Sequence, residues 1–268
     1  MLDEYEGFKK DFLLLSGIDL NSYKETQMKR RILSFMGRHR CENLVAFFQL
    51  LKRDREVYNA FITYLTINVS EFYRNPVQWK TLESIVIPHI MKHSGSGIRV
   101  WSAACSTGDE PYSLAMVLSE FYPLERIEII ATDMDKEVLD KARQGCYHEK
   151  SLKSLPEKYQ KRFFEKTDSG YYQVSDSLKR CITFREHNLL KDTYPGNLDL
   201  VVCRNVLIYF TEEAKDRIYK GISQSLKKDG VLFVGSTEQI IGSDVYGLET
   251  FQSFFYKKIE PILTRLLI

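Results

Sequence analysis

Polar and charged residues follow several short apolar segments in the second half of the chain, and they are the first candidates for a binding site. The first apolar segment, residues 98–104, leads into the loop SAACSTGDEP, whose small side chains let a ligand approach the backbone closely. The next three segments end at Asp133, at Asn188 and Leu189, and at Arg204, Asn205 and Val206. Because ligands of open parallel sheets bind at the carboxyl ends of the strands, we expect these residues to line one site.

Two carboxylates in that loop, Asp109 and Glu110, indicate which ligands the site can hold. The loop has one glycine and no GxGxxG pattern, and its carboxylates would repel phosphate groups, so a pyrophosphate site is disfavoured. Asp133 follows Gly108 by about 25 residues, a spacing similar to that of the acid that binds ribose hydroxyls in nucleotide-binding folds. An adenosine joined to a cationic tail, as in S-adenosylmethionine, matches these charges. The alternatives are that Asp109 and Glu110 only complement a helix dipole and that Asp133 only forms a turn.

Strands that alternate with helices must position these residues. The predicted strands are residues 98–104, 127–133, 182–188, 198–206 and 230–237. A predicted helix, TEEAKDRIYKGISQSLKKDG, separates the last two strands, and the aromatic segment YGLETFQSFFYKKI predicts antiparallel edge strands. Between Cys146 and Cys181, RFFEK-TDSG-YYQVS is typical of a β-hairpin. The pattern predicts an α/β domain with a mostly parallel sheet and a small β insertion.

The first quarter of the chain predicts helices only, so a helical domain precedes the α/β domain. Ser22 and Glu25 have the spacing of a capping box, and Asn75-Pro76 is a helix-start signal in which Asn75 serves as the cap. The predicted divisions are residues 1–75 (N-terminal helical domain), 76–97 (linker helix and loop) and 98–268 (α/β domain), with the β insertion at about residues 147–181.

Three basic residues, Lys24, Arg31 and Arg38, recur every seven residues and so share one face of a predicted helix. Residues 24–40 hold six Lys or Arg and one acid, Glu25. Such a face is often only solvated. The functional alternatives are a docking surface for an acidic helix and a nucleic-acid patch, although interleaved aromatic residues and a recognisable nucleic-acid module are missing.

The composition restricts the class of protein. The chain has 268 residues, of which 44% are hydrophobic and 28% charged, as in folded globular proteins. Lys and Arg exceed Asp and Glu by 38 − 36 = 2, which disfavours a surface built wholly for nucleic acid. No apolar run approaches the roughly 20 residues of a membrane span, and the start is unlike a signal peptide, so we expect a cytoplasmic protein. The five cysteines form no CxxC pair, which predicts reduced thiols and neither a disulfide framework nor a metal site.

Six motifs in one order along the chain resemble the chemotaxis-receptor glutamate O-methyltransferases (CheR type), most of all the enzyme of Bacillus-type bacteria. The motifs are NVSEFYRNP (68–76), WSAACSTGDEPYSLAM (101–116), ATDMD (131–135), HNLL (187–190), CRNVLIYF (203–210) and GSTE (235–238). The resemblance implies a class I S-adenosylmethionine-dependent methyltransferase fold, which is Rossmann-like, with an N-terminal all-α domain and an inserted β subdomain. It also implies methyl transfer from S-adenosylmethionine to the γ-carboxylate of receptor glutamates, which leaves a methyl ester and S-adenosylhomocysteine.

The resemblance implies roles for individual residues. The residues expected at the cofactor are Asn68, Ser70, Arg74, Glu110, Asp133, Asn188, Leu189, Asn205 and Val206. Arg74, near the methionine carboxylate and the reacting centre, and Tyr209, beside the reacting sulfur, are the expected catalytic residues. Glu110 is expected at the methionine moiety and Asp133 at the ribose. Asn188 and Leu189 are expected to frame the adenine, and Asn205 and Val206 the methyl-bearing part. The alternatives are that Arg74 forms a domain-interface salt bridge and that Tyr209 is a core aromatic residue.

The chemistry of the implied reaction agrees with these residue types. A glutamate side chain has a reference pKa of about 4.3, so the acceptor is anionic at pH 7 and needs no general base. The site must align the acceptor oxygen, the methyl group and the sulfur, and it must exclude water. Arg74, Asn205 and Tyr209 form a polar set suited to this task, and the five histidines show no triad pattern.

The implied partners are the cytoplasmic helices of chemotaxis receptors, with Lys24, Arg31 and Arg38 as the expected receptor-binding residues. We expect no nucleic acid, no direct membrane insertion and no metal, and we expect a monomer. Two other functions stay open at this point. One is methyl transfer to a different protein acceptor, and the other is a signalling module that binds S-adenosylmethionine or S-adenosylhomocysteine without turnover.

Overall fold

The computed structural model describes residues 2–259, and in it the chain forms two compact units. Within the described residues, the first unit comprises residues 2–68 and 208–216, and the second comprises residues 69–207 and 217–259. The predicted boundaries at residues 75 and 97 remain predictions, and residues 260–268 of the predicted α/β domain lie outside the described residues. Within residues 2–259, no helix has both the length and the apolar character that a membrane crossing requires.

Helices build the first unit around aromatic side chains. They are α1 (Leu2–Ser16), α2 (Glu25–Arg38), α3 (Leu44–Arg53) and α4 (Arg55–Leu65). Phe61 of α4 is fully buried, and its ring centroid lies 5.4 Å from that of Phe12 in α1 and 5.0 Å from that of Phe47 in α3. The ring centroid of Phe35 in α2 lies 5.1 Å from that of Phe61. One aromatic core therefore joins the helices, and the predicted all-α domain is confirmed.

The start of α2 differs from the predicted capping box. The helix begins at Glu25, and its N-cap residue is Lys24, without a side-chain cap bond. Backbone pairing keeps the preceding residues out of the helix: the Lys24 N–H donates to the Tyr209 carbonyl at 2.9 Å, and the Thr211 N–H donates to the Ser22 carbonyl at 2.9 Å. A helix that started at Ser22 would lose this pairing, so the prediction of a capping box at Ser22 is wrong.

A seven-stranded sheet is the framework of the second unit. The strands of this unit are β1 (Ile98–Ala103), β2 (Ile127–Asp133), β3 (Cys146–His148), β4 (Phe164–Lys166), β5 (Tyr171–Val174), β6 (Ile182–Glu186), β7 (Leu198–Cys203), β8 (Leu226–Val234), β9 (Leu248–Gln252) and β10 (Phe255–Lys258). Seven of them form one sheet in the order β6-β2-β1-β7-β8-β10-β9. Among the described strands of this sheet, β10 alone runs in the opposite direction, so it pairs antiparallel with both β8 and β9. The predicted α/β class, with a mostly parallel Rossmann-like sheet and antiparallel strands at one edge, is confirmed.

Helices connect these strands. They are α5 (Pro76–Thr81), α6 (Ile87–His93), α7 (Asp109–Leu118), α8 (Lys136–Gln144), α9 (Glu157–Phe163), α10 (Asp176–Lys179) and α11 (Glu212–Ser225), and a π-helical stretch (Leu82–Val86) joins α5 to α6. Shorter 3₁₀ turns are Leu20–Ser22, Leu124–Arg126, Glu149–Leu152, Leu207–Tyr209 and Ser243–Tyr246. The start of α5 at Pro76 is as predicted, but the side chain of Asn75 makes no cap bond to it.

A separate antiparallel sheet of β3, β5 and β4 lies in the segment where a β insertion is predicted. Its hairpin pairs Phe164 with Val174 and Lys166 with Tyr172, and Gly170 in the turn has a φ of +79°. Glycine adopts this left-handed conformation without steric cost. The predicted hairpin and small β subdomain are confirmed.

The helix before β8 is shorter than predicted. It ends at Ser225, whereas the sequence pattern extends it to residue 230. Leu226 already pairs with Leu198 of β7, before a shift in register. Lys227 belongs to β8, and its Nζ donates to Asp199 at 2.8 Å. The lysines that the sequence pattern assigns to the end of the helix therefore lie in strand β8.

The carboxyl ends of four parallel strands lie at one edge of the sheet. Ala103, the last residue of β1, pairs with Thr132 of β2 on one side and with Cys203 of β7 on the other. Asp133 at the end of β2 pairs with Glu186 at the end of β6. The four segments that follow these strands therefore start next to each other, where a ligand site is expected.

Candidate active site

The loop between β1 and α7 carries three residues in the left-handed backbone region. Ala104, Ser106 and Gly108 have φ angles of +61°, +49° and +91°. A Cβ on Gly108 would lie 2.9 Å from the Cβ of Ala142 and 3.0 Å from the Oη of Tyr147, so this position requires glycine. At Ala104 and Ser106 the conformation costs about 1 kcal/mol each. Backbone strain of this kind concentrates at functional sites.

Asp133 holds this loop from the end of β2. Its carboxylate accepts the N–H of Ser106 at 2.9 Å and that of Asp135 at 3.0 Å, and the Met134 N–H also donates to it. Asp133 is 6% exposed, and burial raises its pKa to about 6 in spite of these donors. The turn-forming role considered in the sequence is therefore present. A carboxylate has roughly four lone-pair sites, so one remains for a ligand hydroxyl.

Glu110 and Arg204 form a buried ion pair beside the loop. Arg204 Nη1 lies 3.4 Å from Glu110 Oε2, and the two side chains are 2% and 14% exposed respectively. The Ser102 hydroxyl donates to Glu110 Oε1 at 2.8 Å. Burial raises the pKa of Glu110, and the guanidinium of Arg204 partly offsets this effect. Glu110 thus complements a buried cation as well as the first turn of α7.

The same guanidinium connects the site to the segment before α5. Arg204 Nη2 donates to the Arg74 carbonyl at 2.9 Å. It also donates to Asn75 Oδ1 at 3.2 Å and to Gln78 Oε1 at 2.8 Å, and its Cζ lies 4.6 Å from the Phe233 ring centroid. The bond to Arg204 engages the Asn75 side chain, which explains why the predicted cap of α5 is missing.

Arg74, the expected catalytic cation, is held through its backbone rather than through its charge. Its carbonyl accepts bonds from Arg204 and, at 2.8 Å, from Trp79 Nε1. Its Nη1 donates to the Val69 carbonyl at 3.4 Å. In residues 2–259 no carboxylate forms an ion pair with Arg74, so the salt bridge considered in the sequence is not found there.

Ser70 lies close to the first turn of α7. Its hydroxyl donates to the carboxylate of Asp109, and the Thr107 hydroxyl does so at 2.6 Å. Asp109 is 2% exposed, and burial raises its pKa. The Tyr73 N–H donates to Ser113 Oγ at 3.0 Å. These bonds fasten the segment that carries Ser70 and Arg74 to α7.

The segments after β6 and β7 complete the edge. Asn188 and Leu189 lie in a turn in which Asn188 Oδ1 accepts the Leu190 N–H at 2.9 Å. Asn205, which is followed by Val206, has a φ of +60°. The expected cofactor residues of the second unit that the structure brings to this edge are Ser70, Arg74, Glu110, Asp133, Asn188, Leu189, Asn205 and Val206. Their contact with a cofactor remains a prediction.

Asn68 and Tyr209 belong to the first unit. Asn68 Nδ2 donates to Thr66 Oγ1 at 2.8 Å, just after α4. Tyr209 ends a 3₁₀ turn, is partly buried, and accepts the Lys24 N–H with its carbonyl at 2.9 Å. The expected roles of Asn68 at the cofactor and of Tyr209 beside the sulfur remain predictions.

The basic face of α2 contains an aromatic contact that its own sequence does not reveal. The guanidinium carbons of Arg31 and Arg38 lie 4.5 and 4.8 Å from the ring centroid of Tyr64 in α4. Arg31 also donates to the Tyr64 carbonyl. Lys24 is exposed at the N-cap of the helix. Two of the three expected receptor-binding residues are thus held against one ring.

The groups at the sheet edge fit a ligand with the chemistry of S-adenosylmethionine. The buried Ser106 Oγ has no hydrogen-bond partner in the described part of the chain, which leaves it available to a ligand in the strained loop. Asp133 retains an acceptor site, and three buried or half-buried carboxylates disfavour phosphate. No cluster of three or more His, Cys, Asp or Glu side chains suited to a metal ion occurs in residues 2–259.

Sequence reasoning missed the roles of two buried charged residues, Arg204 and Glu238. Glu238 accepts the N–H groups of Asn205 at 2.5 Å and of Leu207 at 2.7 Å. Both residues follow long apolar strands, where an ionisable group is unusual and signals a partner. That signal shows that each of the two residues has a partner, but it does not identify the partner.

Comparisons with known proteins agree over nearly the whole chain. The family described as CheR methyltransferase, all-alpha domain, matches residues 3–66, and CheR methyltransferase, SAM binding domain, matches residues 68–253. The chemotaxis protein methyltransferases of Listeria innocua and Listeria monocytogenes are each 44% identical over 258 residues, 93% of this chain and 98% of theirs. Chemotaxis protein methyltransferase 2 of Vibrio cholerae is 33% identical over 87% of this chain and 84% of its own length.

Proposed function

The chain belongs to the CheR methyltransferase family, and from this premise we propose how its residues act in the reaction. It is an S-adenosylmethionine-dependent methyltransferase of chemotaxis receptors, which converts glutamate γ-carboxylates to methyl esters and releases S-adenosylhomocysteine. The resemblance to the receptor methyltransferase family is confirmed, and the likeness to the Bacillus-type enzyme stays a prediction. A module that only binds the cofactor is not favoured, because the relatives that match nearly end to end are named as methyltransferases.

The observation that supports the proposed residue roles is the common edge at which four parallel strands end. S-adenosylmethionine supplies the methyl group from a positively charged sulfur. The remaining acceptor site of Asp133 receives a ribose hydroxyl, and Asn188 and Leu189 enclose the adenine. Glu110 faces the cationic methionine part, and Arg204 partly neutralises the charge of Glu110. Without Arg204, the excess negative charge would stabilise the charged reactant more than the neutral product and would slow the reaction.

Arg74, Asn205 and Tyr209 orient the reactants. The acceptor glutamate is anionic at pH 7, so no residue has to remove a proton. Arg74, which has no carboxylate partner in the described residues, attracts the acceptor and the methionine carboxylate. Asn205 and Val206 hold the methyl-bearing part in line with the acceptor oxygen, since in-line alignment lowers the barrier to displacement.

The receptor is recognised by the basic face of α2. Lys24, Arg31 and Arg38 present cations that complement glutamate-rich receptor helices. We assign the protein to the cytoplasm, where those helices lie, as a monomer that neither inserts into a membrane nor binds nucleic acid.

Methyl transfer can be tested by the chemistry of the product. The purified protein is incubated with methyl-labelled S-adenosylmethionine and chemoreceptor membranes, and the products are treated with mild base. A glutamate methyl ester releases volatile labelled methanol, whereas an N-methyl group does not. We expect base-labile label on the receptor with the wild-type protein and none with Asp133→Ala. Base-stable label would contradict a carboxylate acceptor, and label on another protein would identify a different substrate.

A further inference from the structure

Glu238, the last residue of the motif GSTE, is a buried carboxylate to which the reaction assigns no role. It is 5% exposed and accepts three backbone N–H groups. Oε2 receives the N–H of Asn205 at 2.5 Å and that of Gly235 at 2.9 Å, and Oε1 receives the N–H of Leu207 at 2.7 Å. One side chain thus bridges the segment after β8 and the turn after β7.

The turn that Glu238 holds has an unfavourable backbone conformation. Asn205 has a φ of +60°, a conformation that costs a non-glycine residue free energy and therefore needs external support. Both N–H groups that Glu238 receives from this turn flank Val206, at residues 205 and 207. The carboxylate therefore fixes the peptide units 204–205 and 206–207, and between them lie Asn205 and Val206, the residues expected at the methyl-bearing part of the cofactor.

The neighbouring glycine makes this contact possible. A Cβ on Gly235 would lie 2.5 Å from Glu238 Oε2 and 2.9 Å from the Asn205 nitrogen. Any other residue at position 235 would push the carboxylate out of the turn. The absence of a side chain at Gly235 therefore leaves the room in which the Glu238 carboxylate reaches its three N–H donors.

The charge of Glu238 acts in opposite directions on the two members of the neighbouring ion pair, since it favours the Arg204 cation and raises its pKa. It acts on Glu110 in the same direction as burial and adds to the rise in the pKa of Glu110. A neutral side chain would relieve this repulsion, but it could not accept three N–H donors. The three N–H donors of the turn therefore require a carboxylate at this position.

We propose that Glu238 is a positioning residue for methyl transfer, which holds Asn205 and Val206 in the conformation that binds the methyl-bearing part of the cofactor. The proposal rests on the cofactor roles proposed above for these two residues. Glu238 itself acts through the backbone of the turn and touches neither substrate.

The test uses the full-length protein and three variants. Glu238→Gln keeps the shape but replaces one acceptor oxygen with an NH₂ group that faces an N–H donor. Gly235→Ala keeps the carboxylate but inserts a methyl group against both Glu238 Oε2 and the Asn205 nitrogen, so it forces the carboxylate and the turn apart. The control is Asp199→Asn at the opposite end of β7, because Asp199 is also buried, 3% exposed, and accepts the Arg99 N–H at 2.8 Å. Affinity for S-adenosylhomocysteine is measured by calorimetry, the KM for receptor by methyl transfer, and stability by thermal unfolding.

We expect Glu238→Gln and Gly235→Ala to weaken S-adenosylhomocysteine binding by about tenfold or more, since charge-assisted bonds to the turn are lost. The KM for receptor should stay within about twofold, and Asp199→Asn should bind like the wild type at a lower Tm. Wild-type affinity in Glu238→Gln, or an equal loss in Asp199→Asn, would overturn the proposal. If Glu238→Gln does not fold, wild-type affinity in Gly235→Ala would overturn the proposal, because the turn would then not need its contact with Glu238. A wild-type protein that binds no S-adenosylhomocysteine would overturn the proposed function together with this proposal.

Discussion

A guanidinium as buried as that of Arg204, 2% exposed, is tolerated only when its charge and its donors are matched. Glu110 supplies the charge, and the Arg74 carbonyl is one of its acceptors. Replacement by methionine keeps much of the packing but leaves Glu110 without its cation. We therefore expect Arg204→Met to lower the free energy of unfolding by about 3 kcal/mol, measured by urea denaturation.

Arg99→Met is the matched control for this prediction. Arg99 pairs with Glu128 at 3.0 Å, but the two side chains are 36% and 58% exposed, so solvent screens the pair. We expect a loss below about 1 kcal/mol. Equal losses in the two variants would show that Arg204 is not a buried anchor.

Asp133 makes cofactor binding depend on pH. Burial raises its pKa to about 6, above the reference value of about 3.9. Its contribution to stability is therefore fully present below about pH 4 and is lost as the pH rises through about 6. Cofactor binding follows the opposite direction, because the ribose hydroxyl donates to the ionised carboxylate. We expect the affinity for S-adenosylhomocysteine, measured by calorimetry, to fall by up to about tenfold from pH 7 to pH 5.

Asparagine at position 133 cannot titrate, so Asp133→Asn should bind weakly with a flat pH profile. Asp199→Asn serves as control, since it removes a buried carboxylate near the start of β7, away from the strand ends where Asp133 lies, and should keep the wild-type profile. A pH dependence that persists unchanged in Asp133→Asn would assign the titration to a different group.

At the scale of residues, the sequence could predict which positions gather at the site but not which charges hold them. Asp133, Asn188 and Asn205 follow apolar strands directly, so the strand-end rule finds them. Arg204 and Glu238 depend on partners that are remote in the sequence. The bond from Arg204 to Gln78 spans 126 residues, and the bond from Asn205 to Glu238 spans 33. No local pattern encodes such distances.

At the scale of elements, the predicted bounds of strands and helices match the structure where local periodicity determines them. They differ from the structure where pairing with a distant segment intervenes. The strand prediction for residues 127–133 coincides with β2, because its apolar residues are buried in the centre of a parallel sheet. The predictions for the start of α2 and the end of α11 were each wrong by a few residues. Residues 22–24 pair with residues 209–211, and residue 226 pairs with β7. In both cases a backbone hydrogen bond from a distant segment replaced a helical one.

Helix α2 carries the proposed receptor-binding face, and the stacking of Arg31 and Arg38 on Tyr64 sharpens its test. Stacked guanidiniums lose less freedom on binding a carboxylate than mobile ones. We expect Arg31→Glu combined with Arg38→Glu to raise the KM for receptor by about an order of magnitude. The affinity for S-adenosylhomocysteine should be unchanged.

The control is the double variant Lys10→Glu and Lys52→Glu, which reverses two exposed cations on α1 and α3 and changes the net charge equally. It should leave the KM for receptor near the wild-type value. A similar rise in both double variants would attribute the effect to net charge, and a loss of cofactor affinity with α2 reversed would contradict the docking role.

At the scale of the whole molecule, the chain does not divide at a single point. Residues 208–216 return to the first unit after the strands of the second unit have begun. In that unit the ring of Phe210 lies 4.7 Å from that of Tyr23, with a backbone bridge between the two residues. The sequence predicted an all-α and an α/β part correctly, because composition changes between them. It could not show this return, since the contact joins two ordinary aromatic residues far apart in the chain.

The near-neutral chain, with a formal charge of +2, also limits how the receptor can be attracted. Long-range attraction must come from the local cations on α2 rather than from net charge. The Debye length is about 10 Å at 0.1 M salt and about 3 Å at 1 M, so added salt screens exposed cations but hardly affects the buried Glu110–Arg204 pair. We expect the KM for receptor to rise several-fold between about 0.05 and 0.3 M NaCl, while the affinity for S-adenosylhomocysteine stays within about twofold. Arg31→Glu combined with Arg38→Glu should abolish the salt dependence of the KM. If that variant kept the wild-type salt dependence, the attraction would have to arise elsewhere on the surface, and α2 would not be the docking face.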